Sequence, residues 1–226
     1  MGRQVGSPAE AAHSPGEEVS MDVFEAIYTL RAIRRFKPDP VPDELVWKVL
    51  EAATKAPSGG NRQPWRFLVI RDPETKARIG QFYLEGWERF YGPNREQMLA
   101  DPERAPIYRS ADHLARHMGE VPVLVLACLR TTPWPVTTSD RGSYIFPAVQ
   151  NLLLAARALG LGAVLTTLHR VREREVKELL GIPEEWETMA LIPLGWPAVP
   201  FGPVRRLPVE EVVYWERWGQ QRQRQP

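Results

Sequence analysis

Apolar residues recur along this chain in two rhythms, a spacing of three to four residues and short unbroken runs, and the two alternate for most of its length. Val23, Phe24, Ile27 and Leu30 fall at helical spacing, with Ser20 standing where an N-cap belongs. Pro42-Asp43-Glu44 opens a second helix, whose stripe is Leu45, Val46, Val49, Leu50 and Ala53. The runs at 65–70, 123–129 and 189–194 read as strands, and 163–167 as a shorter one. Ile145, Val149, Leu152, Leu153 and Ala156 mark a helix that stops at Gly160, and residues 171–180 form another, closed by Gly181 and Pro183. Between about Gln81 and Gly119 the pattern changes. That stretch is aromatic and charged, interrupted by Gly92-Pro93, Asp101-Pro102 and Ala105-Pro106, and predicts broken helices forming an excursion or lid between two core strands.

This order predicts an α+β sandwich, a sheet covered by helices. Without internal repeats or a low-complexity linker, it reads as one domain over residues 20–216. Residues 1–19, polar and punctuated by Pro and Gly, read as a disordered leader, and 217–226 as a flexible tail. Composition adds exclusions. The 226 residues are 43% hydrophobic and 25% charged, the balance of a soluble globular protein. Net charge is +1, from 29 basic and 28 acidic side chains, which argues against a nucleic-acid binder. Cys128 is the one cysteine; it sits in an apolar run and reads as buried core, with no disulfide and no Cys-rich zinc site. That run is too short to span a membrane, and the first twenty residues lack the apolar segment of a signal peptide, so a cytoplasmic location is expected.

Several clusters could carry chemistry. Arg31, Arg34 and Arg35 would share one face if the first helix continued through Phe36. They would then either offset the helix dipole or clamp a phosphate with guanidinium forks. The stretch Ala56-Pro-Ser-Gly-Gly-Asn-Arg-Gln-Pro-Trp65 reads as a binding loop, because Gly59-Gly60 allows close backbone approach and Ser58, Asn61 and Gln63 suit the edge of a heterocycle. Leu165-Thr166-Thr167 ends a strand, and Arg205-Arg206 alone would pass for a solvated pair. His113 and His117 stand at i, i+4 beside Asp112 and could face a metal together, but a third ligand is missing and a polar helix face reads better. Gly160-Leu-Gly162 follows a helix and opens a strand, the reverse of the dinucleotide-binding order. Phe82, Tyr83, Trp87, Phe90, Tyr91 and Tyr108 could fill core or wall an acceptor site, and Arg217, Arg222 and Arg224 suit a solvated tail.

Together these pieces resemble the FMN-dependent nitroreductases. Leu30-Arg-Ala-Ile-Arg-Arg-Phe36 is similar to that family's Arg-Arg-Ser-x-Arg-x-Phe, and Ala56 to Trp65 meets its Ala-Pro-Ser-x-x-Asn-x-Gln-Pro-Trp in full. Leu159-Gly-Leu-Gly162, Leu180-Gly-Ile-Pro183, Gly195-Trp-Pro197 and Arg205-Arg206 follow in family order, so the likeness spans about 21–214. It implies a nitroreductase-like fold with a mainly antiparallel sheet, and a homodimer holding FMN at the subunit interface. On that likeness Arg31, the Ala32 backbone and Arg34 would hold the phosphate and ribityl chain, with Arg206 and Arg205 completing the anion site. Pro57, Ser58, Gly59 and Asn61 would reach the flavin from the partner, and Leu165, Thr166 and Thr167 would lie against the ring. Leu30 and Ala32 depart from the motif, removing one cation and one hydroxyl. The implied activity is ping-pong reduction of a nitroaromatic, quinone or related small acceptor by NADH or NADPH, with the flavin carrying the chemistry and no catalytic side chain. A specialised enzyme of the same fold, a reductive dehalogenase or a flavin-fragmenting enzyme, and a flavin-binding protein without turnover are the alternatives.

Overall fold

The computed structural model describes residues 21–131 and 138–222; the leader at 1–19, the Ser20 cap and Arg224 lie outside the described residues. Four strands form one sheet in the order β1-β2-β4-β3: β1 Trp65–Ile70, β2 Val123–Arg130, β3 Gly162–Ala163 and β4 Trp186–Gly195. Every pairing is antiparallel, and β2 lies in the middle with Val125 opposite Val69 on one side and Ile192 on the other. Seven consecutive β2 residues are buried. Their side chains leave the strand alternately to two faces, so both faces must be covered.

On one face Val123, Val125, Ala127 and Leu129 join Ile192 and Leu194 under α2 (Asp43–Thr54) and α6 (Thr138–Ala158). On the other face Leu124, Leu126, Cys128 and Leu191 pack against α3 (Pro73–Tyr91), α5 (Ala105–His117) and α7 (Glu173–Leu180). Cys128 is buried as expected, and burial pushes its thiol up to about 12. The excursion is helical, with α4 (Arg95–Ala100) between α3 and α5. Its aromatics divide: Phe82, Tyr83, Trp87 and Tyr108 fill the second core, whereas Phe90 and Tyr91 are exposed. Lys76 on α3 bends back to donate to Val121 O at 2.8 Å, and Gly80 and Gly119 touch backbone to backbone with no room for a Cβ. Among the described residues no helix is long and apolar enough to cross a membrane.

Several element boundaries differ from the sequence pattern. The first helix, α1, is Val23–Thr29; Asp22 caps it by accepting from Phe24 N and Glu25 N, and the helix stops before the arginines. The stretch at 163–167 holds only the two-residue β3 plus a single bridge from Thr166 to Leu191. Residues Leu168–Arg172 form a 3-10 turn ahead of α7, which ends at Gly181 in the left-handed conformation (φ 63°). The short α8, Val209–Val212, follows the last strand.

Behind β4, His169 is fully buried, and neither ring nitrogen has a hydrogen-bond partner among the described residues. Burial, aided by the charge of Arg170 and opposed by the nearby Thr188 backbone, pushes it down to about 3 from an ordinary 6.5. The unfolded chain therefore takes up a proton that the folded chain refuses. The resulting stability is whole above pH 6.5 and is lost as pH falls from there toward 3. Between pH 7 and pH 5 the protein should lose about 2 kcal/mol more stability than His169→Leu does. Urea unfolding at the two pH values checks this; equal losses would show that His169 is not the source.

Candidate functional site

Beyond α1 the chain runs extended along the end of the sheet rather than continuing as a helix. Ile33 causes the change: it is fully buried, and its N–H donates to Ala163 O at 3.2 Å. Its side chain lies on Gly162, where a Cβ would stand 2.6 Å from Ile33 Cγ2, so only glycine allows the approach. Two further bonds continue the seam, Lys37 N to Trp196 O at 2.8 Å and Ala198 N to Arg35 O at 2.9 Å. Burying Ile33 is worth about 1.5–3 kcal/mol, more than the few tenths gained by arginines at a helix C-terminus. The extended path removes the common helical face expected of Arg31, Arg34 and Arg35.

Arg34 is half-buried on this path, and none of the ion pairs among the described residues engages Arg31, Arg34, Arg35 or Lys37. Burial lowers the Arg34 pKa, the Tyr83 hydroxyl nearby opposes that, and the Arg31 charge adds to it. An unpaired guanidinium in such a place is stabilised when an anion or carbonyl oxygen arrives.

The remaining candidates divide between two places. Leu165, Thr166 and Thr167 follow β3 one residue on, after Val164, next to the Ile33 seam. The Thr166 hydroxyl donates to Leu191 O at 2.6 Å and Leu165 is half-buried, leaving Thr167 exposed. Tyr83 comes up beside Thr166 and Arg34, its phenol pushed by burial up to about 12. The segment after β4 returns to the same edge. Val204 N donates to Tyr28 O at 3.2 Å, Arg157 bonds Thr29 Oγ1 at 2.9 Å while lying 4.2 Å over the Phe201 ring, and Arg31 reaches toward Gly202. Arg205 and Arg206 follow, both exposed.

The loop between α2 and β1 stands apart from that edge. Ser58 Oγ accepts from Gln63 N at 3.0 Å, and Gln63 Nε2 donates to Asn61 Oδ1 at 3.1 Å. Gly60, Asn61 and Gln63 all have positive φ (60°, 52° and 49°), a strained backbone for the last two, held by these bonds. Gly59 lies against the Tyr144 ring of α6, and Pro57, Gly59 and Asn61 are exposed. Among the described residues no hydrogen bond or ion pair joins this loop to the arginine segment.

One feature was not recognised as a binding site from the sequence. A cavity of about 330 Å³ lies between the arginine segment and the end of α5, lined by Arg34, Phe36, Lys37, His113, His117 and Glu120 among others. The two imidazoles stack at 4.2 Å with planes 23° apart. Their i, i+4 spacing was the available signal, but nothing local showed that Arg34 would face them. Among the described residues no group of three metal-ligating side chains forms.

The profile of the Nitroreductase family matches residues 27–196, which include both motifs and the whole sheet. A curated NADH dehydrogenase of Thermus thermophilus is 34% identical over 206 residues, covering 86% of this chain and 96% of its own length. An iodotyrosine deiodinase of Thermotoga neapolitana is 31% identical over 189 residues, covering 81% of this chain and 91% of its own. A crystal structure of iodotyrosine deiodinase bound to FMN and 3-iodo-L-tyrosine superposes with a TM-score of 0.66 at 27% identity, covering 82% of this chain and 95% of that one.

The Ile33–Gly162 contact should be the weak point of the edge. Gly162→Ala places a methyl in the space of Ile33 and should cost about 1–3 kcal/mol, lowering Tm by several degrees. Hydrogen exchange at the Ile33 amide should speed up in the same variant. An unchanged Tm together with a protected Ile33 amide would show that the contact is looser than its geometry indicates.

Proposed function

Because the chain belongs to the nitroreductase family, we propose that it binds FMN along the edge formed by the arginine segment and the residues after β3 and β4. The observation that carries this reading is the half-buried Arg34 next to Arg31, a guanidinium pair that no carboxylate among the described residues engages. In this reading Arg31 and the Ala32 amide hold the phosphate, Arg205 and Arg206 close over it from the C-terminal side, and Arg34 faces the ring system. Leu165 and Thr167 give the ring a flat wall, since the Thr166 hydroxyl is occupied by Leu191. FMN would supply the redox chemistry, accepting electrons from NADH or NADPH and passing them in a ping-pong cycle to a nitroaromatic, a quinone or a related acceptor.

The second half of the site would come from another subunit. Val23, Phe24, Ile27 and Tyr28 of α1 are exposed, as are Tyr214, Trp215 and Trp218 near the C-terminus, a larger apolar display than an isolated domain usually presents. A homodimer would cover this surface and bring Pro57, Ser58, Gly59 and Asn61 of one subunit to the arginine edge of the other. The strained Asn61 and Gln63 backbone would then be a preformed ligand surface.

A second reading, reductive dehalogenation of an aromatic substrate, is supported by the 31% identity to the Thermotoga deiodinase. Iodide release from 3-iodo-L-tyrosine under anaerobic reducing conditions, set against reduction of a nitroaromatic or quinone, separates the two.

The test of the main reading is the visible spectrum of the protein after incubation with FMN, recorded before and after anaerobic addition of NADH or NADPH. Bound flavin whose absorbance bleaches supports the oxidoreductase reading, and a protein that retains no FMN rejects it. Arg31→Ala and Arg34→Ala should each weaken FMN binding about ten- to a hundredfold, the worth of one charge-assisted hydrogen bond. Fluorescence titration measures that loss. For the dimer, Phe24→Asp with Ile27→Asp should halve the mass seen in sedimentation and release FMN at the same time; a monomer that keeps its flavin would place the whole site within one chain.

A further inference from the structure

The cavity beside α5 shares only Arg34 with the residues of the FMN reading. Phe36, Lys37 and Pro38 from the arginine segment and Val121 just ahead of β2 set it at the Gly195 end of β4. We propose that this cavity is a second ligand site, separate from the FMN edge, for a small carboxylate carried on a flat apolar body. The inference stands on the walls of the cavity and does not depend on FMN.

Those walls are held in place by the fold. Phe36 bridges to Pro197 and packs on Gly195, where a Cβ would stand 3.1 Å from Phe36 Cδ1. Lys37 N donates to Trp196 O at 2.8 Å, and Lys76 Nζ donates to Val121 O at 2.8 Å. Leu114 and Val121 are buried. A volume of about 330 Å³ is that of a small-molecule pocket, and walls already fixed spare the ordering cost of binding.

The polar groups of the cavity are nearly all donors. Arg34 and Lys37 have no acceptor, and among the described residues Glu120 is the only carboxylate in the lining. Arg35 adds its charge nearby, while Asp112 is committed to Trp87 Nε1 and to Arg116 Nε, each at 3.0 Å. Burial, then Arg35, then His117 hold His113 below the ordinary histidine range, against the pull of Glu120 and Asp112. His117 Nδ1 lies 2.7 Å from His113 O, which can only accept, so Nδ1 carries the hydrogen and Nε2 takes any further proton. Two fixed cations and an imidazole pair against one exposed carboxylate make a cavity that an anion completes.

The rest of the lining describes the body of that anion. Phe36, Pro38, Leu114 and Val121 are apolar; they offer nothing to the hydroxyls of a sugar and suit a ring or a short hydrocarbon. Binding is also coupled to pH. An anion within about 4–6 Å raises a histidine's proton affinity, and two imidazoles stacked at 4.2 Å do not both charge readily, so the pair takes up one proton from solvent. Affinity therefore rises as pH falls through the histidine range, where a carboxylate ligand is still ionised.

The experiment is a titration of benzoate into the protein incubated with FMN, at pH 6 and pH 8, following the His113 and His117 ring signals by nuclear magnetic resonance. Both signals should move along one saturable curve, about threefold tighter at pH 6. Acetate, a carboxylate without the ring, should bind about tenfold more weakly, and benzamide, the ring without the charge, should leave both signals in place. Lys37→Ala should weaken benzoate about three- to tenfold, whereas Glu120→Gln, which removes the opposing charge, should strengthen it. Both residues are exposed and outside the FMN edge, so FMN affinity should stay the same, and effects of opposite sign cannot come from a damaged fold. Ring signals that benzoate does not move overturn the proposal, as does a benzoate affinity indifferent to Lys37→Ala and Glu120→Gln. Benzamide or acetate binding as well as benzoate overturns the class of ligand. A protein that retains no FMN rejects the FMN reading and leaves the benzoate result to decide this one.

Discussion

Strand β2 has to be covered on both faces, and the rest of the molecule is arranged around that requirement. Its seven buried residues send apolar side chains up and down alternately, so α2 and α6 close one face while α3, α5 and α7 close the other. At about 25 cal/mol per Å² of apolar surface, leaving either face in water would cost more than the whole net stability of a domain this size. The broken helices between β1 and β2 are part of that covering, which is why Phe82, Trp87 and Tyr108 point into the second core.

With both faces taken, ligand chemistry is left to the edges and ends of the sheet. The end beyond β3 and β4 is where Ile33 inserts against Gly162 and draws the arginine segment out of helical conformation. That single contact sets Arg34 within electrostatic reach of Tyr83 and in the wall of the histidine cavity, and Arg31 near the returning C-terminal segment. The loop from Pro57 to Asn61 is held by a different set of partners, Ser58 to Gln63 and Gly59 against Tyr144, so a ligand using both places must sit where two surfaces meet.

The protein also tolerates polar groups that are poorly satisfied. Among the described residues Arg31 and Arg34 at the edge have no carboxylate partner, and His169 is buried with neither ring nitrogen hydrogen-bonded. The first has a chemical use in the FMN reading. The second has none that the structure reveals, and it stands as a cost paid in acid stability.

Much of this was legible in the sequence. The period-3.6 stripe of α2, the runs that became β1 and β2 and the glycine after α7 are local signals, set by side-chain spacing and backbone freedom within a few residues. The Ala56 to Trp65 motif was recognisable because its glycines, polar side chains and order are themselves local, although the positive φ of Asn61 and Gln63 was not foreseen. The sequence alone therefore determined the elements, the α+β class and the family to which both motifs point. Tertiary structure decided the rest. Helical continuation through Arg35 was the reasonable local expectation, and burial of Ile33 beneath β3, about 130 residues further along the chain, overruled it. The cavity shared by Arg34, His113 and His117 likewise brings together residues some 80 positions apart, which no spacing along the chain encodes. Propensity acts over one turn of chain, whereas burial and charge act across whatever distance folding has closed.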